Sequence, residues 1–518
     1  MVKRVFMLAG AVVVGLAMVV PSASARPAGA PRSHSQSPYD FFRAHGYFEP
    51  NPAAYLRAKA LLDAQPGQPV NTGPTSPHAP VPNPSFDGQF ETDLAPPDTT
   101  GAIGPNNYVE TINLRIGLYN RSGGLITSTT MEGLFGGSHF NYSDPQALWD
   151  PDTQRFYLLI WDTTNATYRW AFSKNDNPTT LTSSSWCTYT SGFGYPTSSF
   201  PDYPKLGTTK DFLIVGNDYF PNGFTFQGGE IVTIEKPQGS GPVTTCPANT
   251  YATKRFSGLK NQDGSILRSP EPAQQTDPSH TGWVVTTRDV SIGGSANYIT
   301  LFKVVKKLGV AKVKGPFKVS IPSFSMPADA LQCSTSNRLD TIDGRFEHAV
   351  SAIAPSTGKA EIWTAHAVSG GLGSEERWYE ITPSKTPSLV QSGSATSGSL
   401  FVWNGGIAPD RTVNPGGAAH GDDMVMSFTT SSSTQCAAIQ AVSKIGSNPQ
   451  SSFVVVKQST VPDNDFTCSP CRWGDYSGAS PDPAAPLGDA TGKVWLANQY
   501  VSGTGNPNWR TWIFGSNP

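Results

Sequence analysis

The chain has 518 residues, beyond the ~250–300 at which a single core usually stops growing, so it calls for several domains or a repeat array. Gly 51, Pro 45, 11% aromatic and 15% charged residues describe a chain rich in turns and strands and exclude a largely disordered one. A net charge of -2 supplies no basic footprint and argues against a nucleic-acid partner.

At the N terminus Lys3 and Arg4 precede an apolar run from Val5 to Val20 and the small residues Ala23-Ser24-Ala25, which predicts a secretory signal peptide over residues 1–25. The run is shorter than the ~20 residues that span a bilayer, so the mature chain is expected to be secreted, off the membrane and monomeric. Residues 26–85 form an N-terminal segment. It is polar up to Pro38, then carries one short helix over Pro52 to Gln65, where Tyr55, Leu56, Ala60, Leu61 and Leu62 recur at helical spacing, and then a linker rich in Pro, Gly, Ser and Thr.

From residue 86 to 518 the pattern is short strands punctuated by turns. A polar or acidic residue, a short apolar segment, a Pro/Asp/Gly turn and a second apolar run recur seven times. The copies begin at Asp98, Asp144, Asp202, Glu271, His348, Asn404 and Asp475, and the six steps from Asp98 to Asp475 average about 63 residues, longer than compact propeller repeats. Runs such as Ile116–Tyr119, Tyr298–Val305 and Trp378–Ile381 supply outer strands, about four strands for each copy. The expected fold is all-β: a single β-propeller of seven four-stranded blades, or six if one of the looser copies is a long loop, closed by an N-terminal strand near Phe86 to Phe90.

Six cysteines in an exported chain allow three disulfides in 15 connectivities. Locality suggests Cys187 with Cys246, Cys333 with Cys436 and Cys468 with Cys471, structural bonds and not metal or redox chemistry.

The stretches PPDTTGAIGPNNYVETIN from Pro96, DPQALWDPDTQRFYLL from Asp144, FPDYPKLG from Phe200, NRLDTIDGRFEHAV from Asn337, RWYEI from Arg377 and RWGDYSGASPDP from Arg472 to NWRTWIFG at the end resemble secreted bacterial β-propeller proteins. That group is loosely associated with the sialidase-like propellers, and its activities are mostly unassigned. The resemblance implies the fold and brings no catalytic residues with it.

Residues that open the copies stand just before the innermost strands and should converge at one mouth of the channel. Asp98, Asp144, Asp202, Glu271, Arg345, His348, Arg472 and Asp475 are therefore the candidate ligand-binding residues, with Lys205 nearby. A carboxylate ring could hold Ca²⁺ or a polar ligand. The competing structural reading is that each Asp accepts backbone N–H bonds within or between blades. Trp403, Trp473 and Trp509 could stack on sugars or pack in the core. Asp463-Asn464-Asp465 lacks the Gly and distal Glu of an EF-hand loop and reads as a solvated turn. A sialidase-type Asp box, a Gly-x-Ser-x-Gly elbow, a His-Glu-x-x-His motif and a phosphate loop are all missing. Two functions remain: an exported module binding extracellular or cell-surface glycans or proteins, or a glycan-active hydrolase or lyase with carboxylates at the channel mouth.

Overall fold

The structure is a computed structural model that describes residues 49–518 apart from 69, 71–74, 223, 224 and 504. The expected signal peptide and the polar stretch up to Pro38 lie outside the described residues. Helix α1 spans Pro52–Asp63. Asn51 caps it by accepting the Ala54 N–H at 3.1 Å, Pro52 sits in the first turn where its missing N–H costs nothing, and Tyr55 and Lys59, one turn apart, are its buried residues. No helix among the described residues is long and apolar enough to cross a membrane.

Among the described residues seven four-stranded blades follow, built from antiparallel strands consecutive in sequence apart from a small hairpin, Thr412–Asn414 with Gly417–Ala419, set between the first two strands of the sixth, and two further exceptions. Their innermost strands are Thr100–Ile103 in blade 1, Tyr142–Asp150 in blade 2, Phe200–Thr208 in blade 3, Leu267–Pro272 in blade 4, His348–Ala354 in blade 5, Phe401–Pro409 in blade 6 and Gly478–Pro481 in blade 7. Each contacts the next around the axis, and the strand of blade 7 contacts that of blade 1, so the ring closes. One exception is Gln274–Gln275, which leaves blade 4 and adds to the inner strand of blade 5 in parallel. The other is closure itself: Val81–Asp87 comes from before blade 1 and pairs antiparallel with Trp509–Asn517 as the outer strand of blade 7. This closing strand starts earlier than the expected Phe86. Pairing the two chain ends removes the exposed edges that an open array would present.

The strands form where they do because alternate faces are both covered. Inner and second strands are mostly buried, and Tyr142–Asp150 and Arg155–Asp162 are buried along their whole length, since each sheet packs between two neighbours. Outer strands such as Val454–Gln458 are half-exposed. Sheet-to-sheet contact is close enough to need glycine at points: a Cβ on Gly216 of blade 3 would lie 1.8 Å from the Pro270 carbonyl oxygen of blade 4. Trp403, Trp473 and Trp509 are all fully buried, so they pack the core and offer no ring to a ligand. The three disulfides are Cys187–Cys246, Cys333–Cys436 and Cys468–Cys471.

The Asp463-Asn464-Asp465 segment differs from the solvated turn expected of it. Asp463 and Asp465 are 1% and 7% exposed, and burial raises both carboxyls above their usual range. The segment is pinned from both sides, with Gln332 accepting the Asp463 N–H at 2.7 Å and donating to its carbonyl at 3.2 Å.

Candidate functional site

A repeated backbone device sets the geometry of the channel mouth. Blades 2, 3, 4 and 6 each carry a β-bulge near the start of the inner strand, between Ser143 and Gln146, Asp202 and Lys205, Arg268 and Glu271, and Trp403 and Gly406. Inside the bulge sits a residue in the left-handed region: Asp144 (φ 59), Tyr203 (φ 56), Ser269 (φ 41) and Asn404 (φ 59), with Asp98 (φ 49) in the matching place ahead of blade 1. Asp and Asn adopt this conformation at low cost because their side chains hydrogen-bond locally. The repeat register therefore differs from the one expected. Asp202 stands one residue before the equivalent position and Glu271 two after it; the residues equivalent to Asp98 and Asp144 are Tyr203 and Ser269.

The bulges are clasped by side chains of neighbouring blades. Asn113 accepts the Asp144 N–H at 3.0 Å, Asp218 accepts the Ser269 N–H at 2.8 Å, Glu347 accepts the Gly405 N–H at 2.6 Å, and Asp98 accepts the Asp475 N–H at 3.3 Å across the ring closure. Asp98 also accepts from the Asn113 amide at 2.6 Å. Asp144 accepts from the Tyr476 hydroxyl at 2.9 Å and from the Ser143 hydroxyl. A cation arriving at Asp98 or Asp144 would have to displace these bonds. Among the described residues, a set of metal-ligating atoms mutually within 4.8 Å is formed by Glu91, Asp93 and His139, none of which is a residue of the clasps.

Within the ring, side chains reach across the axis and fill it. Tyr203 is a bulky residue in a conformation it rarely adopts, and that conformation turns its ring across the mouth. The ring centroid lies 4.8 Å from that of Tyr476, and its hydroxyl donates to the Asp475 carbonyl at 2.7 Å. Lys205 Nζ stands 3.8 Å from the Tyr476 ring centroid and 4.3 Å from that of Tyr203, donates to the Glu347 carbonyl at 2.9 Å and lies 3.9 Å from the Glu271 carboxylate. Burial pulls the Lys205 amine down to about 8 and pushes the Glu271 and Glu347 carboxyls up to about 8 and about 7. His348 accepts no charge here: burial lowers it to about 4, and its neutral ring donates from Nε2 to the Ala479 carbonyl at 2.8 Å.

Above Tyr203 lies a cluster of charge that sequence reading found only in part. Arg345 stacks 4.7 Å from the Tyr203 ring centroid and forks onto Asp343 at 2.6 and 2.9 Å. Arg268 binds Asp218 at 2.8 Å and Asp343 at 2.8 and 3.0 Å. Both arginines also bind Glu49, which comes from the segment ahead of α1: Arg268 donates to its Oε2 at 2.5 Å and Arg345 to its Oε1. Helix α1 follows onto the loop that leads into blade 5, where the Tyr55 hydroxyl meets Asp340 at 3.2 Å, Lys59 meets Asp329 at 2.7 Å and Asp63 meets Arg338 at 3.3 Å. Arg472 pairs with Asp475 and stands 3.9 Å from Asp340, tying the same loop to blade 7.

The candidate residues are thus placed at one end of the axis. Arg345, His348, Glu271 and Lys205 belong to the interior network, Asp98, Asp144 and Asp475 to the inter-blade clasps, and Asp202 to the half-buried start of a bulge. Arg268, Asp218, Asp343, Glu347 and Glu49 were missed. The signal for Arg268 was present: Ser143-Asp144-Pro145, Asp202-Tyr203-Pro204 and Arg268-Ser269-Pro270 align on their prolines. Glu49 carries no such pattern.

No family model matches the chain, and no curated protein matches it. Solved structures that resemble it include an α-L-arabinanase of Penicillium chrysogenum complexed with arabinobiose, at 11% identity and TM-score 0.30 over 72% of this chain and 93% of that one. An exo-β-1,3-galactanase of Phanerochaete chrysosporium has 10% identity and TM-score 0.28 over 85% of this chain and 99% of that one. Values this low leave the blade count and the site to rest on the chain's own geometry.

Proposed function

We propose that the protein is an extracellular binding propeller that takes a glycan at the mouth where the inner strands begin. The observation that carries this reading is the division of labour among charges there. Four carboxylates at the mouth that hydrolysis could draw on, Asp98, Asp144, Glu347 and Glu271, are occupied or enclosed. Asp98 and Asp144 hold neighbouring blades together, and Glu347, 1% exposed, accepts from the Ala367 and Gly405 N–H groups. Glu271 is 2% exposed beside Lys205. A general acid and base must reach a substrate, and these do not face one. By contrast Arg268 and Arg345 converge on a position held, among the described residues, by Glu49 from outside the blades, beside aromatic rings, which is the chemistry of polar-ligand recognition. Three disulfides accord with an oxidising, extracellular setting.

A glycan array read together with turnover assays on polysaccharides and aryl glycosides tests the reading. Binding without cleavage is the expected result. Turnover that disappears on changing Glu271 or Glu347 to Gln would replace it with the hydrolase reading, and binding confined to proteins would replace the ligand class. Adding Ca²⁺ or a chelator to the same array shows whether a cation takes part.

A further inference from the structure

We propose that Arg268 and Arg345 form a carboxylate-recognition site for an acidic, uronate-bearing glycan, and that Glu49 occupies it in cis as a removable plug. The inference rests on the glycan-binding reading and names its ligand class and its regulation.

The site is built for one carboxylate. Arg268 Nη2 and Arg345 Nη2 approach from different blades and donate to different oxygens of the same group, Oε2 and Oε1 of Glu49. Two guanidiniums bridging one carboxylate fix both its place and its plane, which a lone ion pair does not. Both arginines are anchored from behind. Asp218 and Asp343, each 1% exposed, already compensate the two positive charges, and Tyr203 and Phe226 present ring faces to the guanidiniums at 4.7 and 5.4 Å. The cradle therefore does not need Glu49 for its own charge balance.

Glu49 is the odd member in two respects. Asp218 and Asp343 belong to the propeller, whereas Glu49 belongs to a segment that precedes it and reaches it through α1. Burial acts on Asp343 and on Glu49 with different outcomes. At Asp343 the Arg345 and Arg268 guanidiniums outweigh it and hold the group well below the carboxylate range, while at Glu49 burial outweighs both and the group rises to about 8. Glu49 is also the carboxyl that a ligand can exchange without opening a blade, because it comes from outside the ring. Tethering still makes it an effective competitor, because a side chain on a short segment acts at a local concentration in the millimolar range. An acidic sugar of modest affinity would then find the mouth closed until the segment lifts. A recess that admits one side chain suits a carboxylate carried directly on a sugar ring better than the broad face of a folded protein.

The test compares the full-length protein with its Glu49→Gln and Glu49→Asp variants. Limited proteolysis between residues 49 and 64 reads whether the plug is seated, and titrations with polygalacturonate, neutral dextran and a poly-glutamate peptide read the site. Glu49→Gln should be cut faster and should bind polygalacturonate roughly tenfold more tightly than the parent, the scale of one charge-assisted hydrogen bond, with dextran unchanged. Glu49→Asp, which keeps the carboxyl on a shorter arm, should fall between them, and adding Arg345→Met to Glu49→Gln should abolish the gain. Equal polygalacturonate affinity in parent and Glu49→Gln overturns the inference, as does unchanged protection of the segment. A gain seen with poly-glutamate and not with polygalacturonate overturns the glycan assignment. A neutral glycan bound by all variants with no binding of polygalacturonate by any of them would sink this inference and leave the function intact, whereas no glycan binding by any of them would sink both.

Discussion

Replacing His348 with Gln tests how the channel interior is held. The imidazole is buried at the start of the inner strand of blade 5 and donates to the Ala479 carbonyl of blade 7, and a Gln amide can make the same bond across the axis. Burial lowers the group from 6.5 to about 4, with Lys205 adding to the depression, and Glu271 and Glu347 are the carboxyls of the same network. Because the folded value lies below the unfolded one, the stability linked to this group is fully present above pH 6.5 and is lost as pH falls through 4. At about 1.4 kcal/mol for each tenfold, acidification from pH 7.5 to 4 should cost the parent about 3 kcal/mol through His348 alone. For a ~430-residue propeller with an unfolding entropy of about 0.9 kcal/mol/K, that is about 3 °C in thermal midpoint. Other groups titrate over the same range, among them His366, which burial lowers to about 3, so the quantity to measure is the difference between parent and variant at each pH. Differential scanning calorimetry should show the variant losing about 3 °C less than the parent on acidification. Parallel curves at every pH would refute the claim that a buried neutral imidazole sits at this crossing.

Asp218→Asn should destabilise the propeller by about 3–5 kcal/mol, because it removes one partner of a buried pair while Arg268 and the Ser269 N–H and hydroxyl remain; a calorimetric change under 1 kcal/mol would show that the clasp between blades 3 and 4 is not structural. Removing Cys333–Cys436 by paired Ser substitutions opens a loop of sequence separation 103 and should cost about 4–5 kcal/mol in the chain-entropy account. The same change at Cys468–Cys471, separation 3, should cost less than half as much, and equal midpoints for the two variants would contradict the ranking. Phe86→Ala removes the ring that the closing strand lays against Tyr119 and Trp495 and should cost about 2 kcal/mol. Hydrogen exchange should then quicken first along Val81–Asp87 and its partner Trp509–Asn517, and uniform quickening across all blades would refute a local closure.

The blades were legible in the sequence because their cause is local. Alternating apolar runs between turns specify strands, and seven such copies leave few architectures open; the same locality paired the cysteines, since each bond joins strands or loops of one blade or of neighbours. The site was less legible because its cause is not local. Asp144 reads as a ligand by itself, and only the approach of Asn113 and Tyr476 from other blades turns it into a clasp. Register was the second obstacle. Acidic residues were aligned with acidic residues, which placed Asp202 and Glu271 in a ring with Asp98, whereas the backbone aligns on the left-handed residue of each bulge and the proline after it. Aligned that way, Asp144, Tyr203 and Ser269 share one position, and the position before the left-handed residue holds Ser143, Asp202 and Arg268. The fold repeats a backbone shape and varies the chemistry at each copy, so the blades need not share an acid at all. A cation in one, a tyrosine ring in another and a carboxylate clasp in a third make an asymmetric mouth, which is what a propeller needs in order to recognise a ligand that has no sevenfold symmetry.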